Sequence, residues 1–377
     1  MTQNLETIAG REGRSPQHPL FGVSLRNWVR LISSNGGIDS KYLGKAAFVT
    51  ITSLGTAPAR VMFRLRYSGT IRNTTIQNPP VFIIGHWRTG TTYLHELMSQ
   101  DPQFCYVSLW NTLLPDSFLV FEQMKPFLAR FLPSKRPMDE IRVDMDGPYE
   151  DEAGLAVLLP WSFFHCLHFP RNAEEQYQKA ILFQGLTSED IDQWKERYLT
   201  FIKTVTFANQ GKRLLSKNPP NTARLSALLE LFPQAKFIHI YRNPYKVYLS
   251  TKKMRHNVLK QLALQQTTEE DLEWHVIHDY TRLMDAFFEQ KDKIPKGQLV
   301  ELRYEDLIKD PLGQVKQIYR QLQLPGFEQA VPELQKYLDR QAKYKTNVYS
   351  LDATTINNVK ENWSSTIDRW GYSPPKR

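Results

Sequence analysis

With 377 residues, 41% of them hydrophobic and 12% aromatic, the chain can bury a large core, which excludes general disorder. A formal charge of +9 and a pI near 9.3 favour polyanionic ligands, and the absence of any run of five or six Lys/Arg argues against a nucleic-acid-binding tail. Two cysteines, Cys105 and Cys166, exclude a disulfide framework and a Cys-based zinc site.

Residues 1–17 are polar and lack the charged and apolar regions of a signal peptide, which predicts a cytoplasmic protein. From Leu20 to about Tyr67 the apolar residues recur at helical spacing: Trp28, Leu31 and Ile32, then Phe48, Ile51, Leu54, Val61 and Leu65. Lys41, Lys45, Arg60, Arg64, Arg66 and Arg72 flank the second part. An apolar face rimmed in this way suits a membrane interface, and it suits equally an ordinary helix pair packed on the main domain. The longest uncharged stretch, Ala46 to Ala59, is about 21 Å as a helix and too short to span a bilayer of about 30 Å.

Asn78-Pro79-Pro80 closes this region and starts a buried strand, Val81 to Ile84, followed by a tight loop from Gly85 to Gly90 and a helix from Thr91. The alternation recurs. Strands are predicted at Arg213 to Ser216, Lys236 to Tyr241 and Gln298 to Tyr304, with helices at Thr222 to Phe232, from Pro244 and at Pro311 to Leu322. Asn243 suits an N-cap and Pro244 the first helical turn. Capping sequences at Thr187 and Thr268 open helices running to about Phe207 and Gln290. The pattern predicts an α/β fold, a P-loop-like three-layer α/β/α arrangement around a central parallel sheet, preceded by an N-terminal helical segment. The expected divisions are an N-terminal segment over 1–75, a main domain over 76–345 and a C-terminal extension over 346–377 that packs on it.

Ligands of open α/β sheets sit at the carboxyl ends of the strands. Three strands here end in chemically loaded loops: His86 to Thr92, Lys217 to Asn221 and Arg242 to Ser250. The first has the Gly-x-x-x-x-Gly spacing of a nucleotide P-loop, with Thr91 where the P-loop lysine belongs and Arg88 as its only strong cation. Backbone N–H groups at such a strand–helix junction converge on an anion. The three loops together can hold one ligand with two separate anionic groups.

These segments resemble a known family. Gly85-His86-Trp87-Arg88-Thr89-Gly90-Thr91-Thr92 is similar to the 5′-phosphosulfate loop of the sulfotransferases that use 3′-phosphoadenosine-5′-phosphosulfate (PAPS). Tyr241-Arg242-Asn243-Pro244, with Ser250 eight residues after the arginine, is similar to their 3′-phosphate motif, and Arg303-Tyr304-Glu305-Asp306-Leu307 to another of their common segments. The likeness spans about 79–325 and is greatest to the bacterial branch related to tyrosylprotein and carbohydrate sulfotransferases. The steroid and phenol branch has lysine where Arg88 stands.

The resemblance implies metal-free, in-line transfer of a sulfuryl group from PAPS to an acceptor hydroxyl or amine. It puts Arg88, Thr89, Gly90, Thr91 and Thr92 on the 5′-phosphosulfate, and Arg242 and Ser250 on the 3′-phosphate. Arg88 and Lys217 are then the catalytic cations, since charge grows on the leaving group. Glu96 is the first candidate for general base: it lies one turn beyond Thr92 and Tyr93, at a separation from Arg88 like that of the catalytic glutamate in glucosaminyl 3-O-sulfotransferases. Other candidates are His95, the Glu150-Asp151-Glu152 triplet and His165, which with His168 occupies an aromatic-rich stretch. The triplet also reads as a helix start, and the histidines as core residues or lining of an acceptor pocket.

Two other functions compete. A P-loop kinase or NTPase lacks support in the missing lysine and in strand ends without an acidic Mg²⁺ ligand. A non-catalytic nucleotide sensor at a membrane would leave the catalytic set without purpose. The acceptor is expected to be a small or lipid-like molecule, with peripheral membrane contact through residues 20–70.

Overall fold

The computed structural model describes residues 18–131, 144–341 and 352–374. The chain forms two compact units. One comprises the described residues up to Ile76 with those of Val107–Gly211 and Met254–Glu273; the other comprises Gln77–Tyr106, Lys212–Lys253 and the described residues from Trp274 on.

The second unit is built on a five-stranded sheet. Its strands are β1 (Val81–Ile84), β2 (Phe104–Cys105), β3 (Arg213–Lys217), β4 (Lys236–Tyr241) and β5 (Leu299–Arg303), in the order β2-β3-β1-β4-β5 and all parallel. Central β1 is apolar and buried throughout because parallel sheets are covered on both faces. Val81 and Ile83 face one layer, a core shared with the helices Thr91–Met98, Pro311–Gln321 and Phe327–Gln341 through Leu94, Leu97, Val315, Ile318 and Leu334. Phe82 faces the opposite layer and meets Phe232 and Phe237, while His239 of β4 stacks on Phe287 at 3.9 Å. This is the α/β/α architecture that the strand–helix alternation predicts. β1 is also where the chain order reverses, with β3 on one side and β4 on the other, and that switch point is where such sheets bind ligands. Two-residue β2 has no sequence signal of its own, and the helix expected from Thr222 runs Leu225–Leu231 after a 3₁₀ turn over Pro219–Ala223.

The first unit is helical in its described residues. Its N-terminal helices Leu25–Ser34, Leu43–Gly55 and Ala57–Asn73 bury Trp28, Leu31, Val49 and Phe63. Thr187 and Asp190 form the predicted capping box ahead of Ser188–Ala208. The carboxylates of Asp151–Leu158 are fully buried there: Tyr198 donates to Asp151 Oδ2 at 2.6 Å, and Ser162 Oγ and Phe163 N donate to Glu152 Oε1, both at 2.9 Å. Glu152 thereby holds the start of the Phe163–His168 helix.

Three buried histidines share this core. His18 lies 4.7 Å from His168 and His165 5.4 Å from His168, ring to ring. His18 Nε2 donates to Leu262 O at 2.9 Å and His165 Nε2 to Leu159 O at 3.1 Å. His165 Nδ1 then accepts from His168 Nδ1, 3.2 Å away, an arrangement that requires a neutral His165 ring. Burial lowers His18 to about 3 and His165 to about 4, and holds His168 well below its usual value. Nearby Lys45 adds repulsion to His18 and His168, while Glu152 pulls His165 back upward. The unfolded chain takes up these protons below about pH 6.5 and the folded one does not, so the stability is present above that pH and lost beneath it. Each histidine contributes up to about 1.4 kcal/mol per pH unit over that window. Urea unfolding between about pH 7 and pH 5 is expected to show a steep loss that becomes shallower by roughly one proton in His18→Gln.

Candidate active site

The loop after β1 is closed by its own backbone. Thr89 N and Oγ1 both donate to His86 O, at 3.3 and 2.7 Å, and Gly85 N donates to Thr222 Oγ1 at 2.8 Å. Gly85 has φ 137°, and a Cβ there would stand 2.3 Å from Ile240 O of β4. At Gly90, φ is 103° and a Cβ would stand 2.3 Å from the Tyr304 ring. Both positions therefore require glycine. The N-cap of the Thr91–Met98 helix is Gly90, which has no side chain to cap it, so the N–H groups of its first turn point at the loop without intrahelical acceptors. Gly90→Ala is expected to cost about 1–3 kcal/mol of stability and to weaken anion binding at the loop, read by thermal melts with and without 3′,5′-bisphosphoadenosine.

The loop after β4 is held differently. Asn243 Oδ1 accepts from Tyr245 N at 3.1 Å, capping the Pro244–Leu262 helix, and Asn243 N donates to Glu305 Oε1 at 3.2 Å. Tyr372 OH donates to the other oxygen of Glu305 at 2.7 Å. Burial and then Glu305 hold the Tyr372 phenol far above its usual range, so it remains a donor.

The two loops meet. Arg88 Nε donates to Ser250 Oγ at 2.8 Å, and Arg242 Nη1 donates to Arg88 O at 3.1 Å. The Arg242 guanidinium lies 4.3 Å above the Tyr304 ring, a cation–π contact that leaves its edge available for an anion. Its Nε is buried, with no hydrogen-bond partner among the described residues. Arg88, itself left-handed at φ 69°, thus touches both Arg242 and Ser250 and joins the two motifs. An orphaned buried Nε on one side and uncapped helix N–H groups on the other fit a ligand with two separated anionic groups.

Lys217 ends β3 in register with Ile83 of β1, which sets it beside the same loop, and it is buried. Glu96 is half-buried and accepts from Tyr337 OH at 2.9 Å. Its neighbour His95 points into the sheet instead, buried, with Nε2 donating to Leu215 O at 3.1 Å and its ring edge on Tyr106. Glu150, Asp151, Glu152 and His165 belong to the first unit, where Asp151, Glu152 and His165 are engaged as described above. Tyr304, Glu305, Tyr337, Tyr372 and Thr222 support the site without having been singled out as site residues. Tyr304 and Glu305 lie in a family-like segment that marks their presence but not their partners.

A model described as the sulfotransferase family matches residues 79–329. The chain belongs to that family, and it is a sulfotransferase. It is 34% identical, over 94% of its length and 91% of the relative's, to omega-hydroxy-beta-dihydromenaquinone-9 sulfotransferase Stf3 of Mycobacterium bovis, and equally to that of Mycobacterium tuberculosis. Among solved structures, the sulfotransferase STF9 of Mycobacterium avium superposes with a TM-score of 0.68 at 16% identity, covering 94% of this chain and 98% of that one. STF1 of Mycobacterium tuberculosis gives 0.65 at 18% identity, covering 90% of each. At those identities the structural matches speak for the fold.

Proposed function

We propose that the enzyme transfers the sulfuryl group of PAPS to a hydroxyl of a lipid-like acceptor, in line and without a metal. The observation that carries the donor is the Arg242–Arg88–Ser250 chain of contacts, which joins a loop suited to a 5′-phosphosulfate to one suited to a 3′-phosphate. Bound PAPS supplies the activated sulfuryl group. Thr89, Gly90, Thr91 and Thr92 hold its 5′ end by backbone and hydroxyl groups, and Arg242 and Ser250 hold the 3′-phosphate. Arg88 and Lys217 carry the charge that develops on the leaving phosphate, and Glu96 takes the acceptor's proton. The lipid-like acceptor is supported by the menaquinone derivative in the name of the mycobacterial relative.

Two measurements test this. The product nucleotide 3′,5′-bisphosphoadenosine is expected to raise the melting temperature in the presence of a chelator, while ATP with Mg²⁺ does little; the reverse would remove the donor assignment. Labelled donor offered with hydroxylated isoprenoids, phenols, peptides and sugars is expected to label the isoprenoids.

A further inference from the structure

The N-terminal helices present a face that the core does not use. Helical hydrogen bonding continues across their junction, with Thr56 N on Thr52 O at 2.9 Å and Arg60 N on Thr56 O at 3.2 Å. At 3.6 residues per turn, Leu43, Ile51, Leu54, Val61, Met62 and Leu65 fall within about 100° of arc. All six are exposed, Ile51 at 69% and Leu65 at 84%. The opposite side buries Val49, Ser53 and Phe63 together with two cations: Lys45 Nζ donates to Gln261 O, and Arg60 donates to Gly22 O, Ser53 O and Thr56 Oγ1.

A solvated helix would not carry so long an apolar stripe without something to cover it. Exposed Arg64 and Arg66 fall on its two flanks, Lys41 and Arg72 at its ends, and no Asp or Glu occurs between Asp39 and Glu96. Apolar side chains bordered by arginine on both sides, with no carboxylate among them, complement an anionic lipid surface. By length and composition the Ser40–Asn73 run is also able to cross a membrane, which its short uncharged stretch did not suggest. Crossing would expose Lys45 and Arg60 to hydrocarbon and strip them of the carbonyls that now satisfy them.

We infer that this stripe docks the enzyme on the surface of an anionic bilayer, with the helices lying in the plane of the interface. The docking rests on the chain's own surface. Only its consequence, that a lipid acceptor is met at the membrane, rests on the proposed function.

Flotation of the full chain with phosphatidylcholine vesicles, with and without phosphatidylglycerol, tests it. Binding is expected with the anionic vesicles, weakening with salt. Ile51→Asp/Leu65→Asp is expected to abolish it, and Arg64→Glu/Arg66→Glu to weaken it by about tenfold or more. Both variants should keep the thermal shift with 3′,5′-bisphosphoadenosine, which separates loss of docking from misfolding and from failure of the donor assignment. Unchanged binding of the double-aspartate variant overturns the inference, as does wild-type protein that ignores anionic vesicles. A dimer in solution that the double-aspartate change splits, without vesicle binding, would make the stripe a contact between copies. Resistance to alkaline extraction would make it a spanning helix.

Discussion

Arg88→Ala is expected to lower turnover about 10²–10³-fold, the size of effect seen when one preorganised donor is taken from a developing negative charge. The guanidinium is not a free surface group. Ser250 Oγ fixes its Nε, and its own carbonyl receives Arg242, so its remaining N–H groups are aimed before any ligand arrives. Fixed donors act without reorganising during reaction, which is why the loss should fall on kcat. Ser250→Ala should behave otherwise, loosening the arginine and the 3′ end together and raising the donor KM by roughly tenfold. The backbone at Arg88, with φ 69°, adds a stability test. A left-handed non-glycine residue costs on the order of 1–3 kcal/mol, so Arg88→Gly should melt higher than Arg88→Ala although both lack the side chain. Equal melting points would deny the strain, and preserved turnover in either variant would move the catalytic cation elsewhere, with Lys217 next in line.

The parallel sheet was legible because its strands are short apolar runs between polar turns, and such runs occur where a strand is covered on both faces. Val81–Ile84 and Lys236–Tyr241 were readable to the residue. Phe104–Cys105 was not, because two residues carry no period. Within the candidate site, the glycines and arginines proposed to hold an anion follow local spacing and could be read. The groups that hold them could not: Tyr304 under Arg242, Tyr337 on Glu96 and Tyr372 on Glu305 arrive from elements distant in the chain. The same limit applied to the N-terminal helices. Their period showed that an apolar face exists, but Ile51 and Val49 differ by only two positions, and only packing decides that Val49 is buried and Ile51 is not.

Glu96→Gln is expected to lower turnover about 10²–10⁴-fold while the affinity for 3′,5′-bisphosphoadenosine and the melting temperature stay near wild type. The expectation follows from how the competing carboxylates and histidine are used. Glu152 accepts from Ser162 and Phe163 N, and Asp151 from Tyr198, both carboxylates fully buried, so Glu152→Gln and Asp151→Asn should reduce stability by about 1–3 kcal/mol. His95 spends Nε2 on Leu215 O and is buried against the sheet. Glu96 alone among the candidates of the second unit is a half-buried carboxylate with a single positioning phenol. That phenol, Tyr337, is held well above its usual range by burial and then by Glu96, so it stays protonated and donates throughout the working pH range. Tyr337→Phe removes the donor and leaves the carboxylate, and a positioning role predicts a loss of about tenfold in kcat with donor KM unchanged. If Glu96→Gln turns over normally while Glu152→Gln folds and fails, the base belongs to the first unit and the assignment here is wrong.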